Sequence, residues 1–377
     1  MSKDNQHLRI SIFVVIVGAF LLLTHWVLYS ALLVLLSSLP RDSEIILGII
    51  FIILPLSFIG ASVLSVKYNN FLTRVIYRLI MVWMGFFVYF FLSALLYGLA
   101  VLIFQMNGSV ETFAWLGYSL LILSAISGLY GLLHAGKIKV KRVKLTGGFE
   151  LPNTPASWKG RKAVWVSDLH LGQIRGKKFA SKVVKILNQI RPDIIFIGGD
   201  LYDGVKGDEN EIISPLKDLN PPLGAYFITG NHEEFSDATH FTRAVEAAGI
   251  KVLNHELVLI DGLQVIGITD HESIDKKKFA EILGGLNIDR TKPSIMLKHQ
   301  PSGLDIAERA GINMQISGHT HKAQMFPLFY LTRLIYKGYD YGLKKFGKMN
   351  VYTSSGVGTW GPPMRVGTDG EVVVLEF

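Results

Sequence analysis

The residues best suited to chemistry are Asp, Asn and His side chains that follow short apolar runs in the second part of the chain. Each run has the length of a buried strand. The runs and the polar residues after them are Ala163–Val166 with Asp168 and His170, Ile194–Ile197 with Asp200, Ala225–Ile228 with Asn231 and His232, Ile295–Leu297 with His299, and Met314–Ile316 with His319 and His321. Sites in open α/β sheets lie at the carboxyl ends of strands, so we expect these side chains to converge.

Such a set of side chains is suited to binding metal ions. Oxygen and imidazole ligands suit Mn²⁺, Fe, Zn²⁺ or Mg²⁺, and the chain contains no cysteine that could add thiolates. The set is large enough for two ions, with Asp200 as the bridging carboxylate, because its strand is expected beside that of Asp168. Two ions roughly 3.5–4 Å apart clamp the oxygens of a phosphoryl displacement and supply hydroxide at neutral pH. We predict a dinuclear centre, with Mn²⁺ as the favoured metal.

Alternating strands and helices must position these side chains. Apolar residues at helical spacing predict a helix from Phe179 to Ile190 that ends before Pro192. Asp261-Gly262, between two apolar runs, predicts a hairpin. The further predicted helices are Glu209–Leu219, broken near Pro215, and Ala238–Ala248, Lys276–Leu286 and Gly303–Ala310. The further predicted strands are Leu257–Ile260, Val265–Ile268, Val351–Thr353, Val372–Phe377 and a short strand within the basic stretch Lys137–Lys144.

The first part of the chain predicts four membrane spans. Half of all residues are hydrophobic, and the mean hydropathy is +0.35, which is high for a soluble enzyme. The apolar runs are Ile10–Leu39, Ile45–Val66, Leu79–Phe104 and Phe113–His134. Each has the roughly 20 apolar residues that a span requires. A buried helical bundle is the alternative, but charges are almost absent from the runs. We predict a transmembrane domain over 1–136, a basic junction over 137–160 and a catalytic domain over 161–377.

The positive charge indicates orientation rather than nucleic-acid binding. The net charge of +8 flanks the apolar runs instead of forming one basic patch. The flanking basic residues are Lys3, Arg9, Arg41, Lys67, Arg74, Arg78, Lys137, Lys139, Lys141, Arg142 and Lys144. By the positive-inside rule both termini and the catalytic domain are cytoplasmic, in a multi-pass protein of the cell membrane. His25 lies within the first run; a hydrogen bond inside the helices is favoured over a functional role.

The order of the motifs resembles that of a known family. Asp168-x-His170, Gly199-Asp200-x-x-Asp203, Gly230-Asn231-His232-Glu233, His299 and Gly318-His319-x-His321 follow one another. This order is similar to that of the calcineurin-like metallophosphoesterase superfamily, in particular its membrane-anchored bacterial branch. The resemblance covers roughly Ala163 to the C-terminus. It implies an α+β/α/β fold, a four-layer αββα sandwich, which here follows a four-helix transmembrane domain.

The resemblance also implies a role for each residue. The first metal would be held by Asp168, His170, Asp200 and His321. The second metal would be held by Asp200, Asn231, His299 and His319. His232 would act near the leaving-group oxygen, as a general acid or as a charge stabiliser. Asp203 would orient a metal ligand or His232.

The implied function is hydrolysis of phosphomonoester, phosphodiester or pyrophosphate bonds by metal-bound hydroxide. Gly204 follows Asp203 where protein phosphatases of this superfamily carry Arg, which argues against a phosphoprotein substrate. Lys322-Ala323-Gln324 replaces the Gly-Gly-Gln of many bacterial relatives. A lipid-linked substrate such as UDP-diacylglucosamine is a candidate by analogy. Two alternatives are a membrane receptor or scaffold with a catalytically silent esterase domain, and a transporter with a regulatory domain.

Two later segments leave their roles open. Residues Phe326–Phe346 mix aromatic and basic side chains. They predict either a lid that dips into the membrane surface or a flap packed on its own domain. The segment Gly356–Pro363 is expected near the metal pocket, where its glycines allow close approach of the backbone. Arg365 either pairs with phosphate or lies on the surface.

Overall fold

The computed structural model describes residues 3–68, 70–105, 113–204, 209–235 and 238–377. The chain divides into two compact units. The first, which we call the helical unit, comprises Met1–Leu133 and Gly361–Met364. The second, the α/β unit, comprises His134–Trp360 and Arg365–Phe377. The predicted domain limits, 1–136, 137–160 and 161–377, stay predictions.

Four apolar helices precede the α/β unit. They are α1 (Lys3–Leu35), α2 (Arg41–Lys67), α3 (Phe71–Gln105) and α4 (Ala114–His134). Each contains a stretch that is long and apolar enough to cross a membrane. The predicted limits differ from the helix limits by four residues or more at four ends. Helix α1 spans Lys3–Leu35 where Ile10–Leu39 was predicted, α2 begins at Arg41 instead of Ile45, and α3 begins at Phe71 instead of Leu79. Hydrophobicity locates the apolar segment, whereas backbone hydrogen bonds let a helix continue past it through basic residues such as Arg74 and Arg78.

His25 confirms the prediction of a hydrogen-bonded residue inside the helical unit. Its side chain is buried in α1, and its Nδ1 lies 2.8 Å from the carbonyl oxygen of Leu21. The indole Nε1 of Trp83 donates to its Nε2 at 3.2 Å. The imidazole also stacks on Phe87, with ring centroids 3.8 Å apart. Both ring nitrogens therefore have partners within the unit.

The α/β unit contains twelve strands and eight α-helices in its described residues. The strands are β1 (Ile138–Lys144), β2 (Lys162–Val166), β3 (Ile194–Gly198), β4 (Ala225–Ile228), β5 (Lys251–Val252), β6 (Glu256–Ile260), β7 (Leu263–Ile268), β8 (Ser294–Lys298), β9 (Met314–Ser317), β10 (Gly342–Phe346), β11 (Met349–Thr353) and β12 (Gly370–Glu376). The helices are α5 (Lys177–Ile190), α6 (Glu209–Ile213), α7 (Asn231–Glu234), α8 (Thr239–Ala247), α9 (Asp270–Ile274), α10 (Lys276–Gly285), α11 (Leu304–Ala310) and α12 (Phe329–Ile335).

The strands form two six-stranded sheets that pack face to face. Their orders are β1-β12-β2-β3-β4-β5 and β10-β11-β9-β8-β7-β6. Alternation along β2 shows how the layers arise: Ala163 and Trp165 join the core between the sheets, while Val164 and Val166 join the core beneath α5 and α8. On the other sheet, Ile266 and Met296 face α10 and α11. The predicted four-layer αββα architecture is confirmed.

The predicted elements around the motifs are confirmed, but two strands and the short helices α7, α9 and α12 were not predicted. All five strands that precede the motifs are present, and β6 and β7 pair antiparallel around Asp261-Gly262 as predicted. The predicted helix over Glu209–Leu219 is α6 followed by a 3₁₀ turn at Ser214–Asp218. Strands β5 and β10 were missed. The first has only two residues, and the second carries two lysines at a sheet edge, where charged side chains are common.

Candidate metal centre

The motif residues lie in loops at the carboxyl ends of parallel strands. Strands β2, β3 and β4 are neighbours and parallel, and so are β8 and β9 in the other sheet. The loops after β2 and β3 are joined by backbone hydrogen bonds: Asp168 N donates to Gly199 O, and His170 N to Asp200 O, both at 3.0 Å. Gly318 N donates to His299 O at 2.9 Å. These bonds bring side chains from distant parts of the chain to one place, as predicted.

Five of these residues have backbones in the left-handed region. The φ angles are 58° at Asp168, 47° at His170, 49° at Asp200, 68° at His319 and 49° at His321. Such angles are uncommon outside glycine, although Asp and His tolerate them better than most residues. Each costs on the order of 1–3 kcal/mol, so strain is concentrated in the loops that aim these side chains.

One group of side chains comprises Asp168, His170 and His321. All three are buried and could hold one metal ion. The Nε2 atoms of His170 and His321 lie 3.0 Å apart, and His321 Nε2 lies 3.5 Å from Asp168 Oδ1. Three potential ligand atoms thus face one another over distances that a shared ion would span.

A second group comprises Asp200, His299 and His319. Asp200 Oδ2 lies 3.1 Å from His299 Nε2 and 3.7 Å from His170 Nε2. The same carboxylate oxygen therefore faces both groups, which is the position that a bridging ligand requires. Its other oxygen accepts a hydrogen bond from His232 N at 2.9 Å.

The hydrogen bonding of these atoms fits a metal pair. Asn231 Oδ1 and His299 Nε2 are buried and have no hydrogen-bond partner. A buried polar group without a partner costs about 1–3 kcal/mol, which a metal ion would offset. The other nitrogen of His299, Nδ1, lies 2.7 Å from Gly198 O. That contact directs Nε2 into the site, as carbonyl oxygens do for histidine ligands.

Comparison with known proteins agrees with this site. A model of the calcineurin-like phosphoesterases matches residues 161–323. An uncharacterized metallophosphoesterase of Aquifex aeolicus is 32% identical over 250 residues, which cover 64% of this chain and 91% of that protein. This chain belongs to the calcineurin-like phosphoesterase family.

Two further relatives are longer than the matched region. An uncharacterized metallophosphoesterase of Campylobacter jejuni is 32% identical over 232 residues, covering 60% of this chain and 61% of that protein. A protein of Danio rerio named transmembrane protein with metallophosphoesterase domain is 30% identical over 272 residues, covering 67% and 60%. The chain thus spans about 60% of the length of these two relatives. The second name and the four apolar helices support membrane association.

Two histidines of the candidate metal centre favour the neutral imidazole, the form that binds metal. Burial, together with His299, lowers the pKa of His319 to about 3. Burial and the nearby His170 hold the pKa of His321 well below its ordinary value. Metal ions bind the neutral form of histidine, so neither residue has a proton to lose at neutral pH.

The pKa values of the other two histidines shift in the opposite direction, towards the charged form. Burial opposes their protonation, but nearby carboxylates outweigh it and raise the pKa of both His170 and His299. Burial also opposes ionisation of Asp200, yet His299 and His170 hold its pKa well below its ordinary value. Because the pKa of His299 is raised well above its ordinary value, a metal ion that binds its Nε2 would have to displace a proton.

His232 and Asp203 lie beside the candidate metal ligand His170. The imidazole of His232 is 4.6 Å from that of His170 between ring centroids, and Phe235 and Trp360 lie at 4.8 and 6.1 Å. Asp203 Oδ1 lies 3.6 Å from His170 Nδ1. Of the two roles left open for Asp203, this distance favours orienting the ligand His170.

Glu233 is an important residue to which sequence reasoning gave no role. It is fully buried, and its carboxylate accepts backbone hydrogen bonds from Asp200, Tyr202 and Gly230 at 2.8–3.0 Å. One side chain thus fastens the loop after β3 to the loop after β4. A Cβ on Gly230 would overlap the Asp200 carboxylate, so only glycine permits this approach. Glu233 is the third residue of α7, where a glutamate typically accepts a hydrogen bond from the backbone before the helix, and this position could have indicated its role.

The loop Gly356–Pro363 lies against the site. The prediction for Arg365 was wrong. Val357 N donates to Ser167 O at 2.9 Å, and Gly358 N to Asp168 O at 2.8 Å. Arg365 is fully buried and donates to the carbonyl oxygens of this loop, including Gly358 O at 2.7 Å. It neither lies on the surface nor is free to bind phosphate. Its guanidinium instead satisfies loop carbonyls that have no strand partner.

Proposed function

We propose that the chain is a membrane-bound phosphoesterase that uses two divalent metal ions to hydrolyse phosphomonoester, phosphodiester or pyrophosphate bonds. One observation carries the proposal. Carboxylate and imidazole atoms from five loops come together around Asp200, and buried atoms such as Asn231 Oδ1 and His299 Nε2 have no hydrogen-bond partner. Family membership supports a phosphoester as the substrate.

The two groups of residues divide the ligands between the metals. We assign the first ion to Asp168, His170, Asp200 and His321. We assign the second to Asp200, Asn231, His299 and His319. When bound, two such ions supply positive charge for the phosphate oxygens and make hydroxide available at neutral pH. Mn²⁺ is our first choice, with Fe, Zn²⁺ and Mg²⁺ as alternatives.

His232 is the residue that we place next to the leaving group. Burial and the neighbouring His170 lower its pKa, so its resting form at neutral pH is the neutral imidazole. A neutral imidazole donates a hydrogen bond through its N–H without carrying charge into the site. An arriving phosphate anion favours the protonated form, and His232 can then pass that proton to the leaving oxygen.

Other residues of the chain orient these groups and exclude water. Glu233 holds the backbones of Asp200 and Gly230, and Asp203 faces His170. The loop that Arg365 supports covers the backbone of Asp168. Rigid support of this kind keeps ligands and substrate aligned, which accounts for a large part of the rate in phosphoryl transfer.

We place the α/β unit in the cytoplasm of a multi-pass membrane protein. The basic residues that follow α4, from Lys137 to Lys144, support this orientation. The chain has no cysteine, so single cysteines introduced after α4 can be tested with an impermeant thiol reagent on intact cells. Labelling without breaking the cells would contradict the cytoplasmic assignment.

The activity is tested with the full chain purified in detergent. Metal content is measured beside hydrolysis of p-nitrophenyl phosphate, bis-p-nitrophenyl phosphate and pyrophosphate, before and after chelation. We expect turnover of at least one substrate, loss on chelation and recovery with Mn²⁺. Bound metal without hydrolysis of any of them would favour the alternative of a catalytically silent receptor or scaffold.

We further propose a lipid-linked substrate, for which UDP-diacylglucosamine is one candidate. The same chain carries four helices that are long and apolar enough to cross a membrane, which supports this choice. Turnover of matched phosphoesters with and without acyl chains in mixed micelles tests it. Equal kcat/KM for both would contradict a lipid-linked substrate without affecting the assignment as a phosphoesterase.

A further inference from the structure

The segment Phe326–Lys337, which contains α12, exposes an unusual amount of apolar surface. Its exposed apolar residues are Phe326, Tyr330, Leu331, Leu334 and Ile335, of which Leu334 is 76% exposed. Helix α12 contains no buried residue. A helix of a folded domain normally buries an apolar face. The sequence left open whether this segment is a flap packed on its own domain. In the structure the apolar face of α12 is not covered by the α/β unit.

The exposed residues form one continuous surface, which we call the α12 surface. Tyr330, Leu331, Leu334 and Ile335 are spaced as neighbours on one side of a helix. Phe326 extends the surface, because its ring lies 5.6 Å from that of Phe329 and 6.5 Å from that of Tyr330. A contiguous apolar surface of this kind marks an interaction site, whereas single exposed residues do not.

The charged residues within the segment Phe326–Lys337 are all positive. Residues 326–337 include no Asp or Glu, and the exposed Arg333 and Lys337 flank the apolar side chains. A face with apolar and aromatic residues beside basic ones suits the headgroup region of a bilayer with anionic lipids. Four helices that are long and apolar enough to cross a membrane precede the α/β unit in the same chain, so a bilayer is always within reach.

We propose that the α12 surface binds the surface of an anionic lipid bilayer. The segment that carries this surface reaches the candidate metal centre, since Tyr336, the residue after α12, has its ring 6.2 Å from that of His319. Exposed aromatic residues also flank His232, namely Phe235 and Trp360. A bilayer on this surface therefore meets the rim of the site. The consequence that substrate is taken from the membrane surface rests on the proposed function, whereas the binding itself does not.

Single-cysteine labelling of the full chain tests the proposal. Leu331→Cys lies on the α12 surface, and Leu259→Cys is the matched control, because both leucines are 55% exposed. Leu259 lies on β6, at the opposite edge of its sheet from β10, the strand that follows α12. Each variant is labelled with a fluorophore and reconstituted in vesicles of phosphatidylglycerol and phosphatidylcholine that contain a spin-labelled lipid as quencher.

We expect the label at residue 331 to be quenched about threefold more than the label at 259, because helices of this kind insert roughly 5–10 Å into the interface. Leu334→Cys provides a second position if the first variant does not fold. Equal quenching at the α12 and control positions would overturn the proposal. Protection of the label in native membranes without quenching in pure lipid would also overturn it, in favour of a protein partner.

Two further versions of the quenching experiment test whether binding needs the positive charges and whether it depends on the metal centre. Arg333→Gln with Lys337→Gln, or vesicles of phosphatidylcholine alone, should reduce quenching of the label at 331. No change in either case would contradict the requirement for anionic lipid. The measurement is repeated with Asp200→Asn, which disables the proposed metal centre. Unchanged quenching in that variant shows that membrane binding stands independently of the proposed activity, and its loss would contradict this inference.

Discussion

Buried histidines occur in both units, and their partners differ. In the helical unit, His25 has both ring nitrogens hydrogen-bonded, to Leu21 and Trp83, and its ring stacks on Phe87. In the α/β unit, His299 has one nitrogen held by Gly198 O, and the other is buried without a hydrogen bond, 3.1 Å from the carboxylate of Asp200. A histidine with both ring nitrogens hydrogen-bonded contributes to structure. A histidine with one nitrogen that is not hydrogen-bonded and that faces carboxylates is positioned to bind a metal ion.

The backbone shows the same contrast. His25 lies within a regular helix, whereas His170, His319 and His321 all have positive φ angles. Asp168 and Asp200 are strained as well: Glu233 accepts the N–H of Asp200, and the loop that Arg365 supports donates to the backbone oxygen of Asp168. We infer that the α/β unit gives up stability to aim its buried polar groups, and that the helical unit does not. The predictions below test this contrast in order of decreasing effect.

The largest effect is expected from Asp200→Asn. An amide cannot bridge two cations with the charge of a carboxylate, so both ions should be lost, and hydrolysis should fall to background. Metal analysis by mass spectrometry and the p-nitrophenyl ester assays check this. Asp261→Asn is the matched control, since that aspartate lies in the hairpin turn and pairs with Arg161 at 2.7 Å. Retention of two ions by the Asp200 variant would exclude Asp200 as the bridge.

His232→Ala should keep its metals and lose most of its turnover. Removal of a positioned proton donor typically lowers the rate about 10²–10⁴-fold. The exposed His271→Ala is the control and should have the kcat of the unaltered chain. Metal content and kcat are measured on the same samples. Full activity of the His232 variant would remove this residue from the mechanism.

Glu233→Gln should weaken metal binding without changing the chemistry. Glutamine has one acceptor oxygen, so it cannot accept all the backbone hydrogen bonds that Glu233 accepts from Asp200, Tyr202 and Gly230. Loss of such support typically reduces metal affinity about 10–100-fold. We expect turnover to recover at saturating Mn²⁺. Glu281→Gln, at an exposed position of α10, is the control. Unchanged affinity for Mn²⁺ would show that the loops do not need Glu233.

Metal binding should release protons at pH 7. Nearby carboxylates overcome burial, raise the pKa of His170, and raise that of His299 well above its ordinary value, so the metal-free site holds protons that a metal would replace. Metals take the neutral imidazole, so on the order of one to two protons should leave per chain, and affinity should rise with pH. Calorimetry in two buffers of different ionisation enthalpy measures this. Proton uptake, or affinity that falls as the pH rises, would contradict the assigned protonation.

The smallest effect on the metal centre is expected from His25→Ala. This change leaves the indole N–H of Trp83 without its acceptor, at a cost of about 1–3 kcal/mol. We expect a lower aggregation temperature in detergent, with unchanged metal content and turnover per folded chain. Loss of metal in this variant would remove the distinction between satisfied and unsatisfied histidines.

Local signals made much of the α/β unit predictable. An apolar run followed by Asp, Asn or His marks both a strand and its carboxyl end, so the strands and the side chains at their ends were found together. Order along the chain then indicated which loops meet. Asp200 was expected at the bridge because β2 and β3 were expected to be neighbours, and they pair in parallel.

What the sequence did not reveal depends on contacts between distant segments. Arg365 donates to carbonyl oxygens of the loop around Gly358. Every residue has a backbone carbonyl, so the sequence does not show which of them an arginine contacts. Glu233 stands in a recognised motif, yet only the structure shows that it accepts N–H groups from the loop after β3. The α12 surface was ambiguous because composition alone does not show whether an amphipathic segment is covered.

The most direct test of the metal centre is electron paramagnetic resonance of the full chain saturated with Mn²⁺. Two ions that share Asp200, roughly 3.5–4 Å apart, should be magnetically coupled. We predict a multiline spectrum from a coupled pair, with two Mn²⁺ bound per chain. The six-line spectrum of isolated Mn²⁺, or fewer than two bound ions at saturation, would contradict the dinuclear site.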